Sequence, residues 1–451
     1  MKKFKKTLSS LWTNHSLRKK ILFTVGILVL YRLLVFIPVP FANVELLHNA
    51  VSSTSNSGLG YFLMLLGGSL TKFSFIAIGL APYINASIMM QLLGAVVPSL
   101  EKLTEEGEAG QQKISQYTRY LSVPLAFFQG IGMVYFMNYL LQQPVIPTDI
   151  TTLLLAGFVM MVGGTMLMWL GELITEKGIT NGISVLIFAS IVSGITQSVY
   201  SSLSSASNFW AMLIFMLVII LGLIILSIFI LKSLKEIPII YARKGNVKES
   251  STLPIPMNPV GMIPIIFAIA FVSFPYLAGK MIAQFQPGNE KLMAISNWTE
   301  THLNIYSQDP GLLAIFLYFV LIVLFTFFYS LITFSPDRMS DNIQKRGGFV
   351  PGIRPGKETA NYINGVLMHL CLWGGIGLAL IGIYSYLLYY IPFIQEIVQS
   401  VGGLPVVVTG SGVIIIVGVV QDIINKVQTD MIMQKYEKFD VDQVNKSLSE
   451  L

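Results

Sequence analysis

With 451 residues, 54% of them hydrophobic and only 12% charged, the chain is too poor in charge for a water-soluble globular protein, in which about 25% of residues are charged. Its mean hydropathy of +0.69 points the same way. A formal net charge of +6 invites a nucleic-acid footprint, but the placement of the basic residues described below argues against direct DNA binding. The lone cysteine, Cys371, excludes an internal disulfide, and His15, His48, His302 and His369 lie too far apart to suggest a metal site.

In chain order, the first stretch (MKKFKKTLSSLWTNHSLRKK) has the basic character of a signal n-region. Many spans follow it and no A-x-A-like cleavage site does, so the first apolar run is read as retained. Runs able to cross a hydrocarbon core of about 30 Å fall at 20–38, 73–97, 118–140, 153–173, 183–201, 209–231, 260–282, 311–333, 361–385 and 404–424. Arg32 lies within the first; an arginine at mid-depth is costly unless hydrated or paired, which favours an interior position over an outward anchor. Residues 58–97 are too long for one span and too short for two, and they break at Gly67-Gly68-Ser69 and Lys72. The piece from Gly58 to Leu66 can reach only about 14 Å as a helix, so it reads as interfacial or re-entrant. Irregular backbone at membrane depth needs protein or a water-filled cavity around it, which points to a cavity.

With the N-terminus in the cytoplasm, 25 of the 29 lysines and arginines fall on the cytoplasmic side. Lys72, Lys280 and Lys291 fall in outer loops, and Arg32 lies in the first span. The basic charge therefore reports topology, with both termini cytoplasmic. Five spans in each of the halves 1–208 and 209–425 permit an inverted repeat with a site at its interface, followed by a cytoplasmic tail, 426–451.

Catalytic signatures are missing: there is no phosphate-binding Gly-Lys-Ser/Thr loop, no H-E-x-x-H and no pair of intramembrane acids. Glu172 and Asp422 read as solvated span ends. Neither an enzyme nor a cofactor is expected, and driving energy must come from a partner or the membrane potential. The inner loops are more informative. Loop 334–360 carries GGFVPGIRPG (347–356), whose glycines and prolines imply fixed turns with Arg354 at a tip, over an interior of Phe349, Val350 and Ile353. Lys345 and Arg346 flank that core, and loop 232–259, with Arg243 and Lys244, is similarly apolar and basic. Rigid basic protrusions of this kind suit an acidic or RNA-rich partner.

Six stretches carry a family resemblance: IGLAPYINASIMMQLL (78–93), EGEAGQQKISQYTRY (106–120), GTMLMWLGELITEKGITNGISVLIFASIV (164–192), NPVGMIPIIFA (258–268), GGFVPGIRPGKETANYI (347–363) and VQDIINKVQTDMIMQKYE (420–437). Together they resemble the SecY family, pore subunits of the bacterial Sec protein-conducting channel. The resemblance implies an all-α integral membrane fold: ten transmembrane helices in two pseudo-symmetric inverted five-helix halves. It also implies a short re-entrant plug helix near 57–71, with Gly58, Tyr61, Phe62, Leu65, Gly67 and Gly68. The family's apolar pore ring falls here on Leu80, Ile84, Ile187, Ile266 and Ile415. A lateral gate would lie between spans 2 and 3 and spans 7 and 8, with Asn85, Gln129 and Asn258 as polar candidates.

The implied function is conduction of unfolded secretory polypeptides across the bacterial cytoplasmic (inner) membrane, with sideways release of transmembrane segments into lipid. Implied partners are the SecE and SecG membrane subunits, the SecA motor ATPase and the ribosome, with Arg354 coupling to the motor. Two stretches depart from the family pattern: LPIPMNP (253–259) has an extra proline and lacks a basic residue often found there, and TGSGVIII (409–416) is rich in glycine. The competing reading is a secondary transporter with inverted repeats. It would gather polar groups at mid-depth, where these spans offer apolar ones.

Overall fold

Inside a bilayer every backbone amide must find its partner within the protein, and a helix does this within one segment. The computed structural model describes residues 15–43, 46, 73–141, 144, 146–147, 149–205, 208–241, 249–285, 289–305, 311–391 and 410–449. Each of the ten expected spans contains one helix: α1 (His15–Leu34), α2 (Ala81–Val96), α4 (Glu108–Leu141), α5 (Ile150–Lys177), α6 (Gly182–Ser205), α7 (Phe209–Lys232), α8 (Ile263–Phe285), α10 (Leu312–Thr333), α12 (Lys357–Tyr390) and α13 (Gly410–Ser449). Short helices α3 (Pro98–Glu105), α9 (Glu290–Leu303) and α11 (Pro336–Lys345) lie between them. Among the described helices, α5, α7, α10, α12 and α13 are each long and apolar enough to cross a membrane by themselves.

Three connections differ from expectation. The second span was expected to be helical from residue 73, but its helix begins at Ala81, after Gly79 at φ +62° and with Pro82 in the first turn. Residues 73–80 instead form turns, and protein surrounds them: Phe73, Ser74 and Ile76 are at most 1% exposed. These turns are held against the chain leaving α1. Val39 N–H donates to the Phe73 carbonyl (2.9 Å), Phe75 N–H to the Ile37 carbonyl (3.1 Å), and Ser74 Oγ to the Leu34 carbonyl (3.1 Å). The expected loop 98–119 is largely helical, because α3 fills its start and α4 begins well inside it at Glu108. The connection after α8 holds α9, whose Asn289 side chain accepts from the Lys291 amide at the helix start.

Loop 232–259 contains a β-hairpin. Strand β1 (Leu234–Tyr241) pairs antiparallel with β2 (Glu249–Pro256), from Leu234 opposite Pro256 to Tyr241 opposite Glu249. The short β3 (Gly348–Phe349) joins the other edge of β1, giving the order β2-β1-β3. Alternation along β1 turns Ile237 and Ile239 inward, where they meet Ile255, Ile343, Val350, Ile363, Leu367 and Cys371. The sheet is thereby seated on the N-terminal part of α12, and Cys371 serves as a small packing residue.

Beside a cluster that joins α4 to α5 through Val134, Met137, Leu153 and Met160, the membrane-spanning part packs in two further large groups. One cluster unites α8, α10, α12 and α13, and it also takes in Ile88 of α2 and Val185 of α6. A second unites α1, the turn before α2, α5 and α6, including Ile27, Tyr31, Ile76, Leu80, Leu167 and Leu186. Contact across the halves runs through α4 against α8 and α6 against α13.

Candidate functional site: the seam and the Arg354 knob

The five expected ring residues are divided between the two clusters. Leu80, 8% exposed, ends the turn before α2 and belongs to the first-half cluster. Ile415, 6% exposed, lies in the first turns of α13 and belongs to the second-half cluster. Ile84 and Ile187 pack against both clusters, and Ile266 packs against the second. All five side chains are hydrocarbon, so none of them offers water or ions a hydrogen-bonding group. The six plug positions, Gly58 to Gly68, lie outside the described residues.

The polar gate candidates fare unevenly. Asn258 is 5% exposed, but its side chain is used locally: Nδ2 donates to the Gly261 carbonyl (2.6 Å) and Oδ1 accepts from the Val260 amide (3.3 Å). It shapes the turn leading into α8 rather than bonding across helices. Asn85 and Gln129 are half-buried on α2 and α4. Composition gave no hint of the polar link that does span the halves. Tyr329 of α10 donates its hydroxyl to Gln91 Oε1 of α2. Gln91 Nε2 in turn donates to Ser87 Oγ (3.2 Å), one turn earlier on α2. Interhelical pairing in the sequence would have needed both partners to be known, and a tyrosine in an apolar run reads simply as packing.

Two charged positions differ from expectation. Glu172 was read as a solvated span end, yet it pairs with Arg119 of α4 at 2.5 Å and is 26% exposed on its side chain, tying α4 to α5. Arg32, expected inside, lies on the exposed face in the last turn of α1. There a long side chain can carry its charge toward the interface.

Between α11 and α12, residues 346–357 form a set of fixed turns. Gly347, Gly352 and Gly356 sit at φ +71°, +81° and +97°, where a side chain would be strained. Ser340 Oγ donates to the Gly356 carbonyl (2.7 Å), Thr359 Oγ1 to the Arg354 carbonyl (2.8 Å), and Ile353 N–H to the Val350 carbonyl (3.1 Å). Val350 is buried beneath, while the Arg354 side chain is 87% exposed with Glu358 3.9 Å away. The expected rigid tip is therefore present, with Lys345 and Arg346 exposed beside it. Arg243 and Lys244 lie outside the described residues. No group of metal-binding side chains occurs among the described residues.

The SecY family profile matches residues 74–424. The protein translocase subunit SecY of Bacillus licheniformis is 35% identical, over 96% of this chain and 99% of its own length. The chain belongs to the SecY family. The SecY subunit of Mycobacterium tuberculosis is 37% identical over 94% of this chain and 97% of its own length. Solved structures agree at the level of fold. A SecY channel described for a plug domain that stabilises its closed state superposes with a TM-score of 0.62 at 18% identity, covering 93% of each chain. Canine Sec61 in a ribosome-channel complex superposes with a TM-score of 0.57 at 17% identity, again over 93% of each chain. This SecY-family chain is thus a multi-pass membrane protein with the helical architecture of those channels.

Proposed function

We propose that this chain is the central pore subunit of a protein translocase, conducting unfolded secretory polypeptides across the membrane and releasing apolar segments sideways into lipid. It is a channel subunit and not an enzyme. The observation that carries the reading is near-full-length similarity to subunits named for protein translocation in several bacteria. The seam supports it. Leu80, Ile84, Ile187, Ile266 and Ile415 are supplied by both halves and lie in or against their clusters, and a hydrocarbon constriction would resist ions while binding no particular side chain.

In this reading residues 1–208 and 209–425 are the two inverted halves, and 57–71 is the plug. The lateral gate opens between α2 and α4 on one side and α8 and α10 on the other. The site is the bacterial cytoplasmic membrane, with both termini inside. SecE and SecG are the membrane partners, and SecA or a ribosome docks on the cytoplasmic knob. An exposed arginine held by glycine turns, with its backbone fixed by Thr359, suits that docking.

The test uses vesicles containing the chain with its small membrane subunits, added SecA and ATP, and a secretory precursor scored for protease protection. Wild type is expected to protect the precursor. Arg354→Glu should lower protection at least tenfold while leaving the melting temperature within about 2 °C, since the side chain is exposed. Lack of protection by folded wild type with an active motor would overturn the reading.

A further inference from the structure

Helix α9 lies on the face of the molecule opposite the Arg354 knob. The chain path sets this: β2 leads from the knob into α8, α10 leads back to α11 in the knob, and α9 joins the far ends of α8 and α10. At about 100° per residue its side chains fall into three sectors. Ser296, Thr299 and Leu303 are buried and form the side packed on protein. A Cβ at Gly279 of α8 would lie 2.6 Å from Thr299 Oγ1, so the two helices approach closely there. That hydroxyl is satisfied within α9, donating to the Ser296 carbonyl (2.9 Å). Beside the packed side runs a stripe at i, i+4, i+7 and i+11: Lys291, Ile295, Trp298 and His302, all exposed. Ile295 and Trp298 are 55% and 51% exposed. His302 stacks on the Trp298 ring at 5.0 Å and donates from Nδ1 to the Trp298 carbonyl (3.0 Å), which steadies the indole. The third sector, Glu290, Asn297 and Thr301, is polar and exposed, with Met293 at its edge.

Depth determines what the apolar stripe meets. Gly279 lies about 24 Å along α8 from its first residue, Ile263, and a hydrocarbon core is about 30 Å thick. Packing on Gly279 therefore holds α9 near the far boundary of the core rather than in water beyond it. Other side chains on this face mark the same level. Tyr200 at the end of α6, Trp210 at the start of α7 and Tyr390 at the end of α12 are all exposed. Exposed aromatics at helix ends are the belts that sit among lipid headgroups. We propose that α9 is an interfacial helix, lying in the membrane surface opposite the knob with Ile295 and Trp298 inserted at the boundary of headgroups and acyl chains. Its ligand is the lipid surface itself. An interfacial helix packed on a spanning one has a side on protein, a side in lipid and a side in water, the order found around α9. The indole gives acyl chains an apolar body and headgroups an N–H, and Lys291 can run its stem along the helix toward a phosphate. Because Gly279 lies beyond Pro275, this contact sets the depth of the far end of α8. Membrane residence is all the proposal needs, so it stands apart from the translocation reading.

The test puts the full chain in vesicles of phosphatidylcholine and phosphatidylglycerol, with Cys371→Ser as the background. A nitroxide label is attached to Ile295→Cys or to Asn297→Cys, both exposed positions where a label should leave the fold intact. Its collisions with oxygen, which concentrates in lipid, are compared with its collisions with a water-soluble nickel chelate. The oxygen-to-nickel ratio is expected to be about fivefold higher for the Ile295→Cys label than for the Asn297→Cys label. Tryptophan quenching by brominated lipid gives a second readout, taken as the difference between wild type and Trp298→Phe. Bromines near the headgroup should quench Trp298 about twofold more than bromines near the chain end. Equal collision ratios without quenching would put α9 in water and overturn the proposal. Stronger quenching by the chain-end bromines would overturn it too, because the helix would then be immersed rather than interfacial. A label on Ile295→Cys that meets neither collider is covered by protein. Spectral broadening that fades on dilution with unlabelled chain would then identify a second copy, and the lipid assignment would fall. The measurement is repeated with the small membrane subunits present, where loss of oxygen collisions would assign the stripe to a subunit instead.

Discussion

The knob around Arg354 and the membrane seam are built by opposite means. In the knob, backbone conformation is fixed residue by residue: three glycines at positive φ, a strand register over eight residue pairs, and hydroxyls donated to the Gly356 and Arg354 carbonyls. Side chains from β1, β2, α11 and α12 then lock it onto the end of span 9. In the seam, nothing covalent or backbone-bonded joins α2 to α10; hydrocarbon contact and one tyrosine–glutamine bond do so. On the proposed function, the first construction suits a docking platform and the second a gate.

The sharpest way to break this comparison is to charge the knob's interior. Ile255, fully buried between sheet and helix, replaced by Asp should cost about 4 kcal/mol locally and release the hairpin. Limited proteolysis should then cut between β1 and β2 at least tenfold faster, while the helices stay intact by circular dichroism. Equal protease resistance would mean the sheet is not seated as described.

A smaller effect is expected where helix and turn meet inside the membrane. A Cβ at Gly163 of α5 would lie 2.1 Å from the Phe75 carbonyl oxygen. Gly163→Val should therefore cost about 2 kcal/mol by forcing α5 away from the 73–80 turn. Thermal unfolding in detergent reads this as a lowered midpoint; an unchanged one would mean the turn yields freely. The smallest effect belongs to the ion pair of Lys20 on α1 with Asp430 on α13, 2.8 Å apart and partly exposed. Asp430→Asn should cost about 0.5 kcal/mol, and the difference should vanish at high salt.

Much of this molecule was legible in its sequence, and the boundary of legibility is physical. The ten spans follow from twenty-residue apolar runs, a signal set by membrane thickness. The fixed turns around Arg354 follow from glycine and proline, which act locally. The hairpin at 234–256 was missed because Pro238, Pro254 and Pro256 are poor strand residues, tolerated only where their missing amide hydrogen is not needed. The early end of helix in span 2 could have been read from Gly79 and Pro82, which outweigh the apolar run around them. Glu172 and Tyr329 could not. Their partners, Arg119 and Gln91, are 53 and 238 residues away along the chain, and only the fold brings them together.

The clamp between the end of span 1 and the turn before span 2 has one last consequence. Because Val39 and Ile37 bond to Phe73 and Phe75, the intervening segment departs and returns through a single stem, in the manner of a drawstring purse. A single nick within it would leave both strands of the stem joined, so a cut chain should still carry its two fragments as one particle.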